Sequence, residues 1–375
     1  MSGPTPSTAS PDPRPAISEL SITELKPPSF AGDAPTRARE VIDHFADRAS
    51  PPRQTPLLAD RAARRWIADS IRVAERAIPD ELAFMVATAD ALGTTIEALF
   101  ASQHRALFSR AVHVEPDHDG CSVGASRVPG GPAWVVKNRD NHPDIRRRHI
   151  VTHHVDPSWE GHAVVATSSA GGPMAASGGI NTRGFCAVTT AIVVDRPPPG
   201  VHRTLLVGEM LARCTTVDEA LEMVGSTSHL GGTITMGDAT GAVATVELEP
   251  DAVLIERTGA RPWVTRTNHG CSRSVGEGRE VATPEHRANS IGRLARMHET
   301  MAGATIVDQG WSTIESWILD RMTSHEGDDP SCRHEATMTT IATTLLVCDP
   351  PSVLTSNGPG CEGQWGRWVH TGAAP

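Results

Sequence analysis

The apolar residues of this chain first change their period at one peptide bond, Gly120-Cys121. Up to about residue 110 they recur at three- and four-residue spacing, as in Leu57, Leu58, Ala62, Trp66, Ile67 and Ile71. That spacing lines one face of a helix. From Cys121 the pattern has period two, in short segments broken by Gly- and Pro-rich turns, which reads as strands. An all-α unit therefore precedes a sheet-rich one. Residues 1–31 are rich in Pro, Ser and Thr. They bury too little apolar surface to offset ordering entropy and are expected to be a disordered leader. Three segments follow: leader 1–31, helical unit 32–120 and sheet-rich unit 121–375.

Within the helical unit the spacing predicts helices over 36–46, 56–78 and 79–109, the last interrupted at Gly93-Thr94-Thr95. In the sheet-rich unit it predicts a hairpin over 121–127 and 133–138. Strands are expected over 149–155, 162–167, 184–194, 231–236, 242–248, 252–257 and 262–267, with a last one over 337–348. Helices are expected over 204–214, from the capping box Thr216-Val217-Asp218-Glu219, over 283–301 and over 310–323. The tail from Pro350 reads as irregular. Strands, two helices, strands, two helices and a strand suggest two sheets with helices packed outside them.

A net charge of −10 without a long basic run disfavours a nucleic-acid surface. No apolar run approaches a membrane span, and no secretory signal is visible. The seven cysteines form no CxxC pair, so neither a zinc ribbon nor a redox pair is indicated. The expectation is a cytoplasmic protein with neither nucleic-acid nor membrane partners. His153-His154 and the histidines between 325 and 334 invite a metal reading, but no third ligand can be placed, and no metal is expected.

Cys121 needs activation to act as a nucleophile at neutral pH. One route is a neighbouring histidine. The other is the cysteine's own α-amine, whose pKa of about 7.7–8.0 suits general-base work. That amine exists only if the Gly120-Cys121 bond is cut. Glycine before the cysteine would tolerate a strained backbone.

Gly120-Cys121 is followed by Lys137-Asn138-Arg139-Asp140, Gly179-Ile180-Asn181-Thr182-Arg183-Gly184, Asp238-Ala239-Thr240-Gly241, Thr267-Asn268-His269 and Thr283-Pro284-Glu285-His286-Arg287. In this order the motifs resemble those of the N-terminal-nucleophile (Ntn) hydrolases. More closely, they are similar to the autoproteolytic family of acyl-CoA:6-aminopenicillanic acid acyltransferase, with the choloylglycine hydrolases as distant relatives. The resemblance covers residues 32 to about 350. It implies an α+β fold: a four-layer αββα Ntn-hydrolase sandwich preceded by a small helical pro-segment, which stays bound after cleavage. Cys121 would be nucleophile and new N-terminus, Asp140 would hold the amine, Asn268 would donate to the oxyanion, and Arg287 would lower the thiol pKa. Lys137, Thr189 and Thr190 are further oxyanion or substrate candidates. Lys137 replaces the family's usual Arg or Gln, and Thr189 and Thr190 stand where the relatives place an Asn.

The implied activity is self-processing, then cleavage or formation of an amide bond on a small metabolite through an acyl-Cys121 intermediate. The partners would be a small-molecule amide or acyl donor and the protein's own cleaved α-chain, as a heterodimer or a higher oligomer of it. No cofactor is expected, with acyl-CoA as a co-substrate if the enzyme is a transferase. The rival expectation is an uncleaved, non-catalytic scaffold of the same fold that binds a metabolite.

Overall fold

A computed structural model describes residues 21–52, 56–103, 120–128, 131–194, 197–249, 252–271, 280, 282–306 and 310–372. Asp117, His118 and Asp119 lie outside these residues. In chain order the elements begin with strands β1 (Ser21–Glu24) and β2 (Ser29–Ala31). Helices α1 (Ala34–His44), α2 (Arg61–Ala77), α3 (Pro79–Ala91) and α4 (Ile96–Gln103) follow. Next come β3 (Gly120–Arg127), β4 (Ala133–Asn141), β5 (His149–Val155), β6 (Ala163–Ser169), β7 (Gly178–Asn181) and β8 (Cys186–Thr190). Helices α5 (Arg203–Arg213) and α6 (Val217–Gly225) lead to β9 (Gly232–Gly237), β10 (Val243–Leu248), β11 (Val253–Arg257) and β12 (Trp263–Arg266). The chain ends with α7 (Pro284–Ile306), α8 (Trp311–Met322), β13 (Thr339–Cys348), β14 (Pro351–Ser356) and β15 (Gln364–Val369).

The strands form two sheets, one ordered β1-β15-β14-β13-β4-β3-β12 and the other β11-β10-β9-β8-β7-β6-β5-β2. Val123, Val135, Val264 and Leu346 of the first sheet meet Val165, Ile180, Cys186 and Val188 of the second in a core between them. Outside the first sheet, Met297, Met301, Ile314 and Ile318 of α7 and α8 pack on Trp134, Val136 and Leu345. Outside the second, α5, α6 and the helical segment share one core with its strands. The layers run helix, sheet, sheet, helix, which is the expected αββα sandwich.

The expectations for both ends of the chain need correction. Ser21–Glu24, read as disordered leader, is a strand parallel to β15, and Ser29–Ala31 is a strand parallel to β5. The tail, read as irregular, supplies β14 and β15. All four residues of β1 are exposed, so no burial pattern marks it, and its ladder partner lies over 300 residues away. Local capping was legible: Thr216 and Glu219 close the capping box of α6, and Thr283 Oγ1 accepts from His286 N at 3.1 Å.

Two of the expected family motifs turn out to be braces. Asn181 Nδ2 donates to Leu211 O (3.0 Å) and Cys214 O (2.8 Å) at the end of α5, while Oδ1 accepts from Phe185 N (3.0 Å). Asp238 accepts from Thr240 N (2.9 Å) within its turn and from Val217 N (2.8 Å) at the start of α6. Among the described residues no single helix is long and apolar enough to cross a membrane; α3 and α4, which pass together as a bent pair, lie in the core under the second sheet.

Candidate active site

β3 lies between β4 and the edge strand β12, so the strand that carries Cys121 is paired on both sides. Residues paired across an antiparallel ladder share a face. Cys121 pairs with Arg139 and Val123 with Lys137, and Val123 belongs to the core between the sheets. The side chains of Cys121, Lys137 and Arg139 therefore face the second sheet, whereas Gly120, Ser122, Asn138 and Asp140 face α7. A close approach of α7 is built into β3: a Cβ on Gly124 would stand 2.4 Å from Met301 Sδ and 2.8 Å from Met297 Cε.

Side chains hold the Cys121 backbone at both ends. Its N–H donates to Asn268 Oδ1 at 2.7 Å, and its carbonyl accepts from Arg293 Nη1 at 2.5 Å. Arg293 Nη1 also donates to Ser122 Oγ (3.1 Å) and Nη2 to Asn268 Oδ1 (3.0 Å). Arg293 Nε and Arg333 Nη1 both donate to Asn289 Oδ1, at 2.9 and 3.2 Å. Cys121 is 6% exposed and Arg293 fully buried. Burial lowers the Arg293 pKa while the opposing charge of Asp140 supports it. An arginine stays protonated in such a setting.

Asp140 lies on the same face as Gly120 and is fully buried. Thr340 Oγ1 donates to its Oδ1 at 2.7 Å, while Oδ2 has no hydrogen-bond partner among the described residues. Burial raises its pKa above the usual carboxylate value, opposed by Arg293, Thr340 and Arg333. A Cβ on Gly120 would stand 2.8 Å from Asp140 Cβ and 3.0 Å from Asp140 Oδ2. Gly120 is thus explained by the close approach of Asp140. The positive-φ backbone that would explain it by strain is absent there.

The expected residues are only partly brought together. Cys121, Asp140 and Asn268 converge. Arg287 does not: it pairs with Glu280 at 2.5 Å and its side chain is 39% exposed. Arg293 takes the place at Cys121 that was expected of Arg287. Six residues along a helix is a rotation that leaves the two about 120° apart, and the docked face of α7 carries Asn289, Arg293, Met297 and Met301 at four-residue spacing. A cation one turn before the two methionines of that stripe was the available signal. Asn268 Nδ2, the expected oxyanion donor, donates to Ala191 O at 3.0 Å. Lys137 Nζ donates to Ser177 O (2.9 Å) and Thr189 Oγ1 to Ala176 O (3.0 Å), while Thr190 Oγ1 pairs with Thr233 Oγ1. Away from Cys121, folding gathers His325, Cys332, His334 and Cys361. The missing further ligands on which the expectation of no metal rested are therefore present.

Two histidines near the site make stability depend on pH. Burial, with Arg139 and Lys137 nearby, pushes His149 from 6.5 down to about 3. Burial, with Arg287, Arg293 and Arg266, takes His269 down to about 4. Below about pH 6.5 the unfolded chain binds protons that these folded imidazoles refuse, and each pH unit below that point costs about 1.4 kcal/mol per histidine until the folded pKa is reached. Their contribution is complete above pH 6.5 and is lost as pH falls toward their folded values. The urea midpoint should therefore drop steadily from about pH 7 to pH 4, and His149→Gln should make that slope shallower. An unchanged slope in the variant would remove His149 from this account.

The sequence matches the profile of the family described as acyl-coenzyme A:6-aminopenicillanic acid acyl-transferase over residues 127–351. No curated protein matches it. Among solved structures it is similar to a mutant conjugated bile acid hydrolase from Clostridium perfringens, at 10% identity and a TM-score of 0.42, covering 66% of this chain and 92% of that one. It is similar also to penicillin V acylase from Agrobacterium tumefaciens, at 12% identity and a TM-score of 0.40, covering 63% and 82%. The family match spans more than half of the sequence, and the chain belongs to the acyl-coenzyme A:6-aminopenicillanic acid acyl-transferase family.

Proposed function

We propose that this protein cuts its own chain between Gly120 and Cys121 and then cleaves or forms an amide bond on a small metabolite through an acyl-Cys121 thioester. The observation that carries the reading is the Cys121 backbone: its nitrogen already rests on Asn268 and its carbonyl on Arg293. Cleavage would leave an amine that is already seated.

In processing, Cys121 Sγ adds to the Gly120 carbonyl carbon. The C–N bond breaks as the nitrogen takes the thiol proton. Water then hydrolyses the thioester, leaving the Gly120 carboxylate and a free α-amine. In turnover that amine takes the thiol proton, Sγ attacks the substrate carbonyl, and the departing amine takes the proton back. Water or an amine acceptor then receives the acyl group. Arg293 places positive charge at the Cys121 carbonyl, and positive charge near a thiol favours the thiolate. Asp140 Oδ2, beside Gly120 and without a partner among the described residues, is placed to bond groups of the cut bond.

The N-terminal piece would stay bound. β1 and β2 add an edge strand to each sheet. Glu81 Oε1 accepts from Met174 N at 2.9 Å, and Arg37 pairs with Asp156 at 3.0 Å, both buried. Removing either member of a buried pair is costly.

Asn268 orients the amine in this reading. Asn268→Asp keeps the acceptor at Oδ1 and should stay within about tenfold of the normal kcat, whereas Asn268→Leu should lower it by about 10²–10³. Equal losses in both would assign the residue to the oxyanion through Nδ2 instead. Hydrolase and transferase are separated by incubating candidate amides with and without an acyl-CoA and an amine acceptor. Protein that stays whole on a denaturing gel and turns over no combination would leave the uncleaved scaffold reading standing.

A further inference from the structure

Four side chains with metal-binding atoms meet where the connection between α8 and β13 approaches the turn between β14 and β15. His325 follows α8, Cys332 and His334 lie in the loop that enters β13, and Cys361 sits in the short turn between β14 and β15. One ligand atom from each lies within 4.8 Å of every other. Cys332 Sγ is 3.6 Å from Cys361 Sγ and 3.6 Å from His334 Nε2, and His334 Nε2 is 3.1 Å from Cys361 Sγ. Zinc bonds of about 2.3 Å to sulfur and about 2.0–2.1 Å to nitrogen place tetrahedral ligand edges at about 3.3–3.8 Å. The three distances lie within or close to that range. The His325 ring meets His334 edge-on at 4.8 Å between centroids, and its Nε2 is buried without a hydrogen-bond partner among the described residues. An unpartnered buried ring nitrogen is costly, and a metal ion would satisfy it.

We propose that His325, Cys332, His334 and Cys361 form a structural Cys2His2 zinc site. Two thiolates and two imidazoles in a tetrahedron select zinc among common divalent ions. The protein supplies all four positions, which leaves none for substrate or water and marks the site as structural. Cys332 is buried while His334 is exposed and Cys361 partly so, so an ion can enter from solvent.

The site would brace the Cys121 machinery from behind. Ser331 O accepts from Asn138 Nδ2 at 2.6 Å, and Arg333 reaches Asn289, the same residue that holds Arg293. Both Ser331 and Arg333 flank Cys332. Tying Cys332 and His334 to Cys361 would fix the loop that presents them.

The test is metal analysis of the full chain purified under reducing conditions without chelator. About one zinc per chain is expected. Cys361→Ser and His334→Ala should retain at least tenfold less after dialysis, while Cys271→Ser should retain it in full. Because the variants could fold poorly, the zinc-stripped wild type is also titrated with Co(II). It should develop the visible bands of tetrahedral thiolate coordination at one ion per chain and lose them to zinc. A folded, reduced wild type that holds no zinc and gives no such spectrum would overturn the proposal. So would full zinc content in Cys361→Ser, or a Cys332–Cys361 disulfide recovered by peptide mapping.

Discussion

Cys121→Ala is expected to leave the chain whole and inert. Wild-type protein should resolve on a denaturing gel into pieces of 120 and 255 residues, counted from a cut after Gly120 in a chain of 375. Cys121 should be the first residue of the larger piece. The variant should give one intact mass and lose turnover by on the order of 10⁴–10⁶-fold, the scale seen when a covalent nucleophile is removed. Folding should survive, because the substitution deletes one sulfur from a site that is already closed. Wild-type protein that stays uncut and yet turns over substrate would sink the free-amine mechanism. Cutting that continues in Cys121→Ala would assign processing to another group.

Arg293→Met is the second large effect, and its contrast with Arg287→Ala makes it diagnostic. Arg293 makes its bonds to the Cys121 carbonyl, Ser122 and two asparagines while fully buried. Its removal leaves Asp140 with less compensating charge, and breaking a buried charged arrangement costs about 3–5 kcal/mol. The Asp140 carboxyl, already raised by burial, should rise further, so the pH profile of processing should move upward in Arg293→Met. A purely structural role would lower the unfolding midpoint without moving that profile. Arg293→Lys keeps the charge and loses the fork, so it should restore the profile but only part of the rate. Arg287→Ala removes a 39% exposed arginine from a Glu280 that is only 6% exposed, so it should lower the unfolding midpoint and still process normally. The reverse ranking of the two arginines would return the role to Arg287.

The contrast between those arginines shows how far a sequence reading reaches. The motif around Thr283 pointed to the helix that packs on Cys121, but the arginine that reaches the Cys121 carbonyl is Arg293 and not Arg287. Choosing between positions on one helix requires knowing which face docks, and that depends on Met297 and Met301 seating against Gly124 of β3. Asp140 was easier. It belongs to a hairpin partner of β3, and the short connection sets the register that puts it opposite Gly120. Asn268 was named by its motif, and the partners of its two amide atoms became visible only in the folded chain.

By itself, the sequence determined what is local: the period of most helices and of the strands between β3 and β13, the capping box at Thr216, and the change of period at Gly120-Cys121. Local propensity and side-chain alternation act over a few residues, so they can be read directly. Tertiary structure alone decided the pairing of β1 with β15, the choice of Arg293 over Arg287, and the meeting of His325, Cys332, His334 and Cys361. Each of these joins residues that are distant in sequence or selects one face of an element. Only packing sets such relations, because the free energy that determines them comes from contacts that do not exist until the sheets and helices have stacked.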